Sequence, residues 1–520
     1  MNRSRLESLL NQQTGFVPPN PYDTAWVALV PDKHNPAQPA WPQALQYLRD
    51  TQLADGGWGD EHVYHAHGRT ICTLAALWAL LAWDCDEDMA RIEAGIQALH
   101  EYAACMALEP YETIGFEMLL PRLVAEVKKF DLDLPLAAWA RFEALTAQKM
   151  ALIGRLQPNY DSPRSWWFSM EMLSEEQLGE IDDRILNVYG SVATSPAATA
   201  AYLRAKRLKG EDSRLATAYI AQVLHVSRAG VGFCYPLEQF EMVWTLDILR
   251  RAGVDPASPH LTPFIHKLAK SWQSSPQGMS WSQTFPIADG DITAVSYTIL
   301  SWAGMQPNDG PFRRFWGADY YLNYPDELVS SISANIHALA SLRYQPDNPQ
   351  HLHMAERITS WLREQMARKG QFHDKWHFSP IYATSRAIAV LADWDNEMAR
   401  QCLDFLLVQQ NRNGGWGSVG AVNLEETSYA TLGLMVAHRK GLLPDKGPLK
   451  MADAFLKKHI GCRPVEPFWI GKTLYQPVGV AHAYVYGAYV ALQQLDVDYK
   501  RPSFWPKLSI SQLRQSWSSS

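Results

Sequence analysis

Segments rich in Ala and Leu recur along the chain with apolar residues three and four positions apart: Thr70 to Trp83, Ala197 to Leu208, Gln239 to Ala252, Asp291 to Ala303, Ser333 to Arg343 and Ala383 to Trp394. That spacing lines one face of a helix, and clusters of Gly, Pro, Asn and Asp between the segments read as turns. Alternating strand patterns are scarce, so the expected fold class is all-α. One turn recurs in a defined form, Gln52-Leu-Ala-Asp-Gly56-Gly-Trp58 and Gln410-Asn-Arg-Asn-Gly414-Gly-Trp416, each after an apolar helical stretch. Glutamine can cap a helix end by hydrogen bonding, tryptophan can pack over it, and glycine permits the tight turn. Such an element is a structural staple, and two copies far apart predict two related helical toroids.

At 520 residues the chain is long for one helical core and suggests a division into domains. Hydrophobic residues make up 47% and charged residues 19%, a globular balance. Tryptophan (20) is nearly as frequent as tyrosine (22), which points to large aromatic surfaces in use. A net charge of -7 argues against a nucleic-acid footprint. It leaves room for an anionic ligand, which needs only a few local cations. The start, MNRSRLESLLNQQ, has no signal-like apolar core, and the longest apolar run, Ile71 to Trp83, is too short to span a bilayer. Six cysteines without CxxC spacing suggest neither a zinc site nor a disulfide framework. A cytoplasmic protein without a membrane span is expected.

The segment that carries chemistry is Trp281-Ser-Gln-Thr-Phe-Pro-Ile-Ala-Asp289-Gly-Asp291-Ile-Thr293-Ala294, two carboxylates just before a helical run. Residues i and i+2 do not face each other within a helix, so a working pair needs the turn at the helix N-terminus. Spacing alone favours an ordinary N-cap beside a solvated Asp. The segment resembles the DxDD motif of class II terpene cyclases, often extended to DxDDTA, with Ile292 in place of the last acid. The resemblance makes Asp291 the proton donor to an alkene and Asp289 its companion. Protonating an isolated alkene needs an acid that stays neutral, and burial beside a second carboxylate favours the neutral form.

Further matches run along the chain. Pro21-Tyr-Asp-Thr-Ala-Trp-Val-Ala28, Asp55-Gly-Gly-Trp-Gly-Asp60, the stretch from Gly190 to Trp244 with Ser195-Pro196 and Tyr235-Pro236, and Trp469-Ile-Gly-Lys-Thr-Leu-Tyr475 resemble segments of class II diterpene cyclases, whose QW repeat is similar to the two staples. The resemblance implies two α/α barrels, a γ-like domain over 1–190 and a β-like domain over 191–520 carrying the acid, with the extreme N-terminus packing on the latter. It also implies geranylgeranyl diphosphate as substrate and magnesium as cofactor. Lys472 and Arg69 are candidate diphosphate ligands, and Glu109 and Glu112, before Ile114-Gly-Phe-Glu117, candidate magnesium ligands. Asn335 and His337 lie where the family places a residue that orients the acid; a lone His on a helix is otherwise a packing residue. Trp281, Tyr235, Phe285 and Trp302 are candidate walls that shield carbocations. His373, Asp374 and His377 fall in a DKW stretch and are read as structural.

No DDxxD-type motif of class I synthases is found, so the diphosphate is expected to stay attached and to pass to a separate class I terpene synthase. Kolavenyl diphosphate is the product expected. The alternatives are a farnesyl diphosphate cyclase giving a drimane, and a non-catalytic α/α-toroid that binds an isoprenoid.

Overall fold

The repeated turn folds the same way twice. Gln52 Nε2 donates to the carbonyls of Gly56 (2.6 Å) and Arg91 (2.9 Å), and Gln410 Nε2 to those of Gly414 (3.0 Å) and Pro448 (2.9 Å). Trp58 and Trp416 each send the indole N–H back to a helix-end carbonyl, Leu48 and Leu406, both at 2.7 Å. Their backbone amides reach the hydroxyls of Thr73 and Thr427 at 2.9 Å. Gly56 and Gly414 both sit at φ +90, where an added Cβ would strike the next helix at Ala94 or Met451. Each staple therefore ties the end of one helix to the start of another, satisfying carbonyls that a helix terminus leaves open.

A computed structural model describes residues 15–495, apart from 110–112, 156–162, 326, 328, 419 and 460. It is mostly helical, as expected. In the C-terminal part, six helices pack each on the next and close into a ring: Glu238–Arg251, Gly290–Trp302, Ile332–Leu342, Pro380–Trp394, Leu424–Arg439 and Val478–Leu492. Helices such as Thr262–Gln273, Asn396–Gln409 and Gly447–Lys458 pack outside it. The inner helices are buried nearly all round, which explains their continuous apolar sequence; the outer ones carry the amphipathic pattern.

A second ring is built by Pro21–Ala28, Ala66–Ala82, Phe116–Val127, the 3-10 segment Ser165–Met172 and Pro196–Leu208, which packs back on Pro21–Ala28. The boundary expected at 190 does not coincide with this packing. Helices Pro196–Leu208 and Arg214–Ser227 fall on the N-terminal side, because the former is needed to close that ring. The first described residues lie against the C-terminal ring, where the Gly15 amide donates to Glu241 (2.9 Å) and its carbonyl accepts from Leu237 (3.0 Å).

The rings are joined by a short hairpin, Trp469–Ile470 paired with Leu474–Tyr475. Its turn reaches into the N-terminal ring. The Lys472 ammonium, with no solvent exposure, meets Glu171 at 2.6 Å and Ser195 at 2.7 Å, and the Gly471 carbonyl accepts from Ile114 at 2.8 Å. Tyr22 adds a hydrogen bond to the same Glu171 oxygen at 2.9 Å. A desolvated ion of this kind holds only while its partner is present. Lys472→Met should lower stability by about 3–5 kcal/mol, read as a shift of the urea midpoint. Lys472→Met combined with Glu171→Leu should recover most of that loss; no recovery would show that the lysine acts through something other than this pair.

Candidate active site

Helix Gly290–Trp302 begins at an N-cap, Asp289, whose Oδ1 accepts from the amides of Asp291 (2.8 Å) and Ile292 (3.3 Å). The Tyr324 hydroxyl donates to the other oxygen at 2.7 Å. Thr293 closes the turn, donating to the Asp289 carbonyl (2.6 Å) and accepting from the Met279 amide (2.8 Å). The Asp-x-Asp-x-Thr spacing is thus the signature of a capped helix start, and the cap is what turns the second carboxylate inward. Asp289 and Asp291 are 7% and 8% exposed. Burial raises both: Asp289 to about 6, with the negative charge of Asp291 adding to the rise, and Asp291 to about 7, where the charge of Arg386 holds it back. Near neutral pH a large share of Asp291 is the neutral acid, while Asp289 is committed to accepting hydrogen bonds.

Asp291 Oδ1 is hydrogen-bonded to Nδ1 of His337, which projects from the facing helix Ile332–Leu342. Behind the imidazole stands Arg386, on helix Pro380–Trp394. Its Nε donates to His337 Nε2, one terminal nitrogen meets Asp247 at 2.7 Å, and the other donates to the Tyr484 hydroxyl at 2.7 Å. Burial, and after it the charge of Arg386, hold His337 well below the usual histidine range, so the ring is neutral. The three groups come from three successive inner helices and meet inside the ring. Aromatic faces surround them: Trp244 lies edge-on to His337 at 5.7 Å and stacks on Phe240 at 4.2 Å, with Trp469 beyond.

Other sequence-derived candidates sit elsewhere. Asn335 does not touch the acid; its amide accepts from the Tyr321 amide (2.8 Å) and donates to Tyr321, Ser330 and Ser331, pinning the loop that carries Tyr324. Lys472 has its ammonium enclosed by Glu171 and Ser195, which replaces the expected role at the diphosphate. Arg69 is bound to Asp55 (2.6 Å) and the Asp60 carbonyl (2.8 Å), within the first staple loop. Trp281 stacks on Phe285 at 3.6 Å and donates its indole N–H to Thr194 at 3.0 Å, across the ring boundary. Tyr235 is half-buried, its carbonyl held by the Tyr219 hydroxyl at 2.8 Å. Trp302 ends the acid helix, about 18 Å from its start at 1.5 Å per residue, and is no wall of this site. His373, Asp374 and His377 point to separate partners: Gln371, the Ser331–Ser333 turn and Tyr429.

Glu109 is a poor fit to magnesium. Its carboxylate takes hydrogen bonds from His67 Nδ1 (2.8 Å), the His67 amide (3.2 Å) and the Ala66 amide, with His65 Nε2 at 3.5 Å. Burial pushes it up, but the His67 hydrogen bond, the nearby His65 and the two amides win and leave it below the usual range. Two imidazoles beside one carboxylate suit a borderline metal, not a hard cation that demands oxygen. His65 Nδ1 moreover accepts from the Gly68 amide, which leaves the proton on the nitrogen facing Glu109. Glu112 lies outside the described residues.

Between the rings is a cavity of about 590 Å³, within the range of ligand sites. Lys149, Arg164 and Lys375 line it, with Glu327 and Asp374. Lys375 pairs with Glu327, and burial lowers its pKa to about 7 against the pull of Asp289. Burial raises the Asp374 carboxyl above its usual range, against the hydrogen bonds it takes from Ser333 and Ser331.

Residues 305–439 match the family model described as the squalene-hopene cyclase C-terminal domain. The chain is 29% identical over 484 residues to a type B diterpene cyclase of Mycobacterium tuberculosis, covering 90% of this chain and 94% of that one. It is similar to class II diterpene cyclases. A (-)-kolavenyl diphosphate synthase of Tripterygium wilfordii is 27% identical over 406 residues, 75% of this chain and 47% of that longer one. The fold of this cyclase-like chain matches an ent-copalyl diphosphate synthase from Streptomyces platensis with a TM-score of 0.75, at 24% identity over 94% of this chain and 99% of that one. Sequence and fold both show a likeness to class II cyclases.

Sequence reasoning missed Arg386, Asp247 and Tyr324. Arg386 carried a signal, a charge among small and apolar residues in the middle of its helix, which requires a buried partner; Asp247 shares its helix with Glu238, Glu241, Arg250 and Arg251 and did not stand out. Glu109→Gln should cost about 1–3 kcal/mol at neutral pH by leaving its donors weakly paired. Because the folded-state pKa is depressed, the carboxylate's contribution is present above the unfolded glutamate value of about 4.3 and is lost as pH falls through the folded value. Urea melts of the two proteins should therefore converge in acid; a gap independent of pH would rule out this account.

Proposed function

We propose that the chain cyclises geranylgeranyl diphosphate by protonating its terminal alkene from Asp291, and leaves the diphosphate in place. Class II diterpene cyclase activity is the reading supported together by the fold, the relatives and the acid. The observation that carries it is a buried carboxyl with a pKa near 7, hydrogen-bonded to a neutral imidazole and set beside a second carboxylate. The alkene π electrons take the Asp291 proton, leaving a carboxylate and a tertiary cation. Two further alkenes close the rings, hydride and methyl shifts move the cation along the bicycle, and a base takes a proton from the final cation. The C–O bond to the diphosphate is not broken. Asp289 stabilises the arrangement through its cap and Tyr324, and His337 orients Asp291. The aromatic faces of Trp244 and Phe240 are placed to shield a cation from water.

The diphosphate is assigned to the cavity between the rings, where Arg164 supplies positive charge and Lys149 and Lys375 would exchange their partners Glu117 and Glu327 for the ligand. Glu109, its carboxylate already taken by His67 and the Ala66 amide, offers magnesium no open ligand. Kolavenyl diphosphate is the product proposed, in keeping with the plant relative, and a separate class I synthase would consume it. Among the described residues no helix is long and apolar enough to cross a membrane, and the six cysteines are free, which supports a cytoplasmic setting.

Purified protein incubated with geranylgeranyl diphosphate, followed by dephosphorylation and mass spectrometry, should give a cyclic alcohol. Asp291→Asn should reduce it at least about 1,000-fold, as expected for loss of the proton donor. Geranylgeraniol alone from both proteins would overturn the reading. Since the donor must hold its proton, kcat should decline as pH rises through about 7; a rate still rising at that pH would exclude Asp291 as the acid.

A further inference from the structure

His337 has two ring nitrogens, and each has a partner that restricts it. Nε2 faces the Nε–H of Arg386. A guanidinium has donors only and does not release its proton in proteins. Arg386 is fixed in turn by Asp247 at 2.7 Å and Tyr484 at 2.7 Å, is 3% exposed, and lies 5.4 Å over the Tyr382 ring. Nε2 must therefore present a lone pair at all times. A neutral imidazole carries one proton, so it sits on Nδ1 and is donated to Asp291 Oδ1. An acid oxygen that accepts this N–H is the carbonyl oxygen of the neutral acid, and the acid's own proton belongs on Oδ2.

We infer that Arg386 is a positioning residue that locks His337 in one tautomer, and thereby fixes Oδ2 of Asp291 as the oxygen that delivers the proton. This rests on reading Asp291 as the acid. The same lock excludes His337 as a proton relay. A relay would need Nε2 to gain a proton while the Arg386 N–H still points at it. A small space of about 20 Å³ bounded by Asp247, His337 and Arg386, room for about one water, would otherwise be the back door to the acid. With that route closed, Asp291 is recharged through Oδ2 after each turnover. The charged groups that face His337 are Asp291, Arg386, Asp247, Asp374 and Arg251. The imidazole therefore meets both signs of charge, and only Arg386 places a fixed donor on Nε2.

The test is nitrogen NMR of the full-length protein labelled in histidine, with His337→Gln identifying the signal. In wild type His337 should read as Nδ1-protonated and Nε2-unprotonated, without titrating from about pH 5 to about pH 9. In Arg386→Gln the signal should shift to mixed tautomers or begin to titrate. The kcat for the alkene protonation should then drop about tenfold or more, with KM changed less than about twofold, and its pH profile should gain a step. Arg386→Lys, which retains a charged donor, should recover part of the rate. An Nε2-protonated ring in wild type overturns the lock, as does a His337 signal unmoved in Arg386→Gln. The spectrum of wild type does not depend on a soluble variant or on any substrate. The expected spectrum together with inactivity on isoprenoid diphosphates would support the lock and defeat the cyclase reading.

Discussion

A guanidinium buried inside a ring of helices is the constraint around which the C-terminal barrel is arranged. Arg386 is almost wholly removed from bulk solvent, so its donors turn to protein groups. Asp247 supplies the charge, Tyr484 and His337 the remaining acceptors, and each comes from a different inner helix. Anionic and phenolic neighbours keep Arg386 charged despite burial, and the arginines around Asp247 keep that carboxylate ionised despite the same burial. The acid lies one hydrogen bond farther out. Its environment is thus set by a chain of partners, not by its immediate neighbour alone.

What could be read in advance follows from how local each feature is. Asp289 and Asp291 were legible because a helix cap is written within five residues, and the cap itself turns the second carboxylate inward. The staples were legible for the same reason. Asn335 and His337 could not both serve the acid, since residues two apart on a helix project about 200° from one another. Periodicity allowed either, and only the position of the facing helix decided for His337. Lys472 looked like an anion-binding loop between glycine and threonine. Its partner Glu171 is about 300 residues away in sequence, and no local pattern announces such a pair.

The ring boundary was misplaced for a related reason. A turn around Gly190 marks the end of a local segment, but ring closure is a non-local property. Pro196–Leu208 packs back on Pro21–Ala28 because the N-terminal ring lacks a last wall without it. Composition carries no record of which ring a helix completes, whereas the spacing that makes it a helix is plain.

The hairpin that ends in Lys472 also limits how the two rings can move. A jaw-like hinge would pull the buried ammonium from Glu171 and break the Gly471–Ile114 backbone bond. Wide separation of the barrels is therefore an expensive motion, comparable to partial unfolding of the interface. Traffic of a ligand must instead use side chains and loops at the rim of the inter-ring cavity. The molecule is built as a fixed vessel with a small moving mouth.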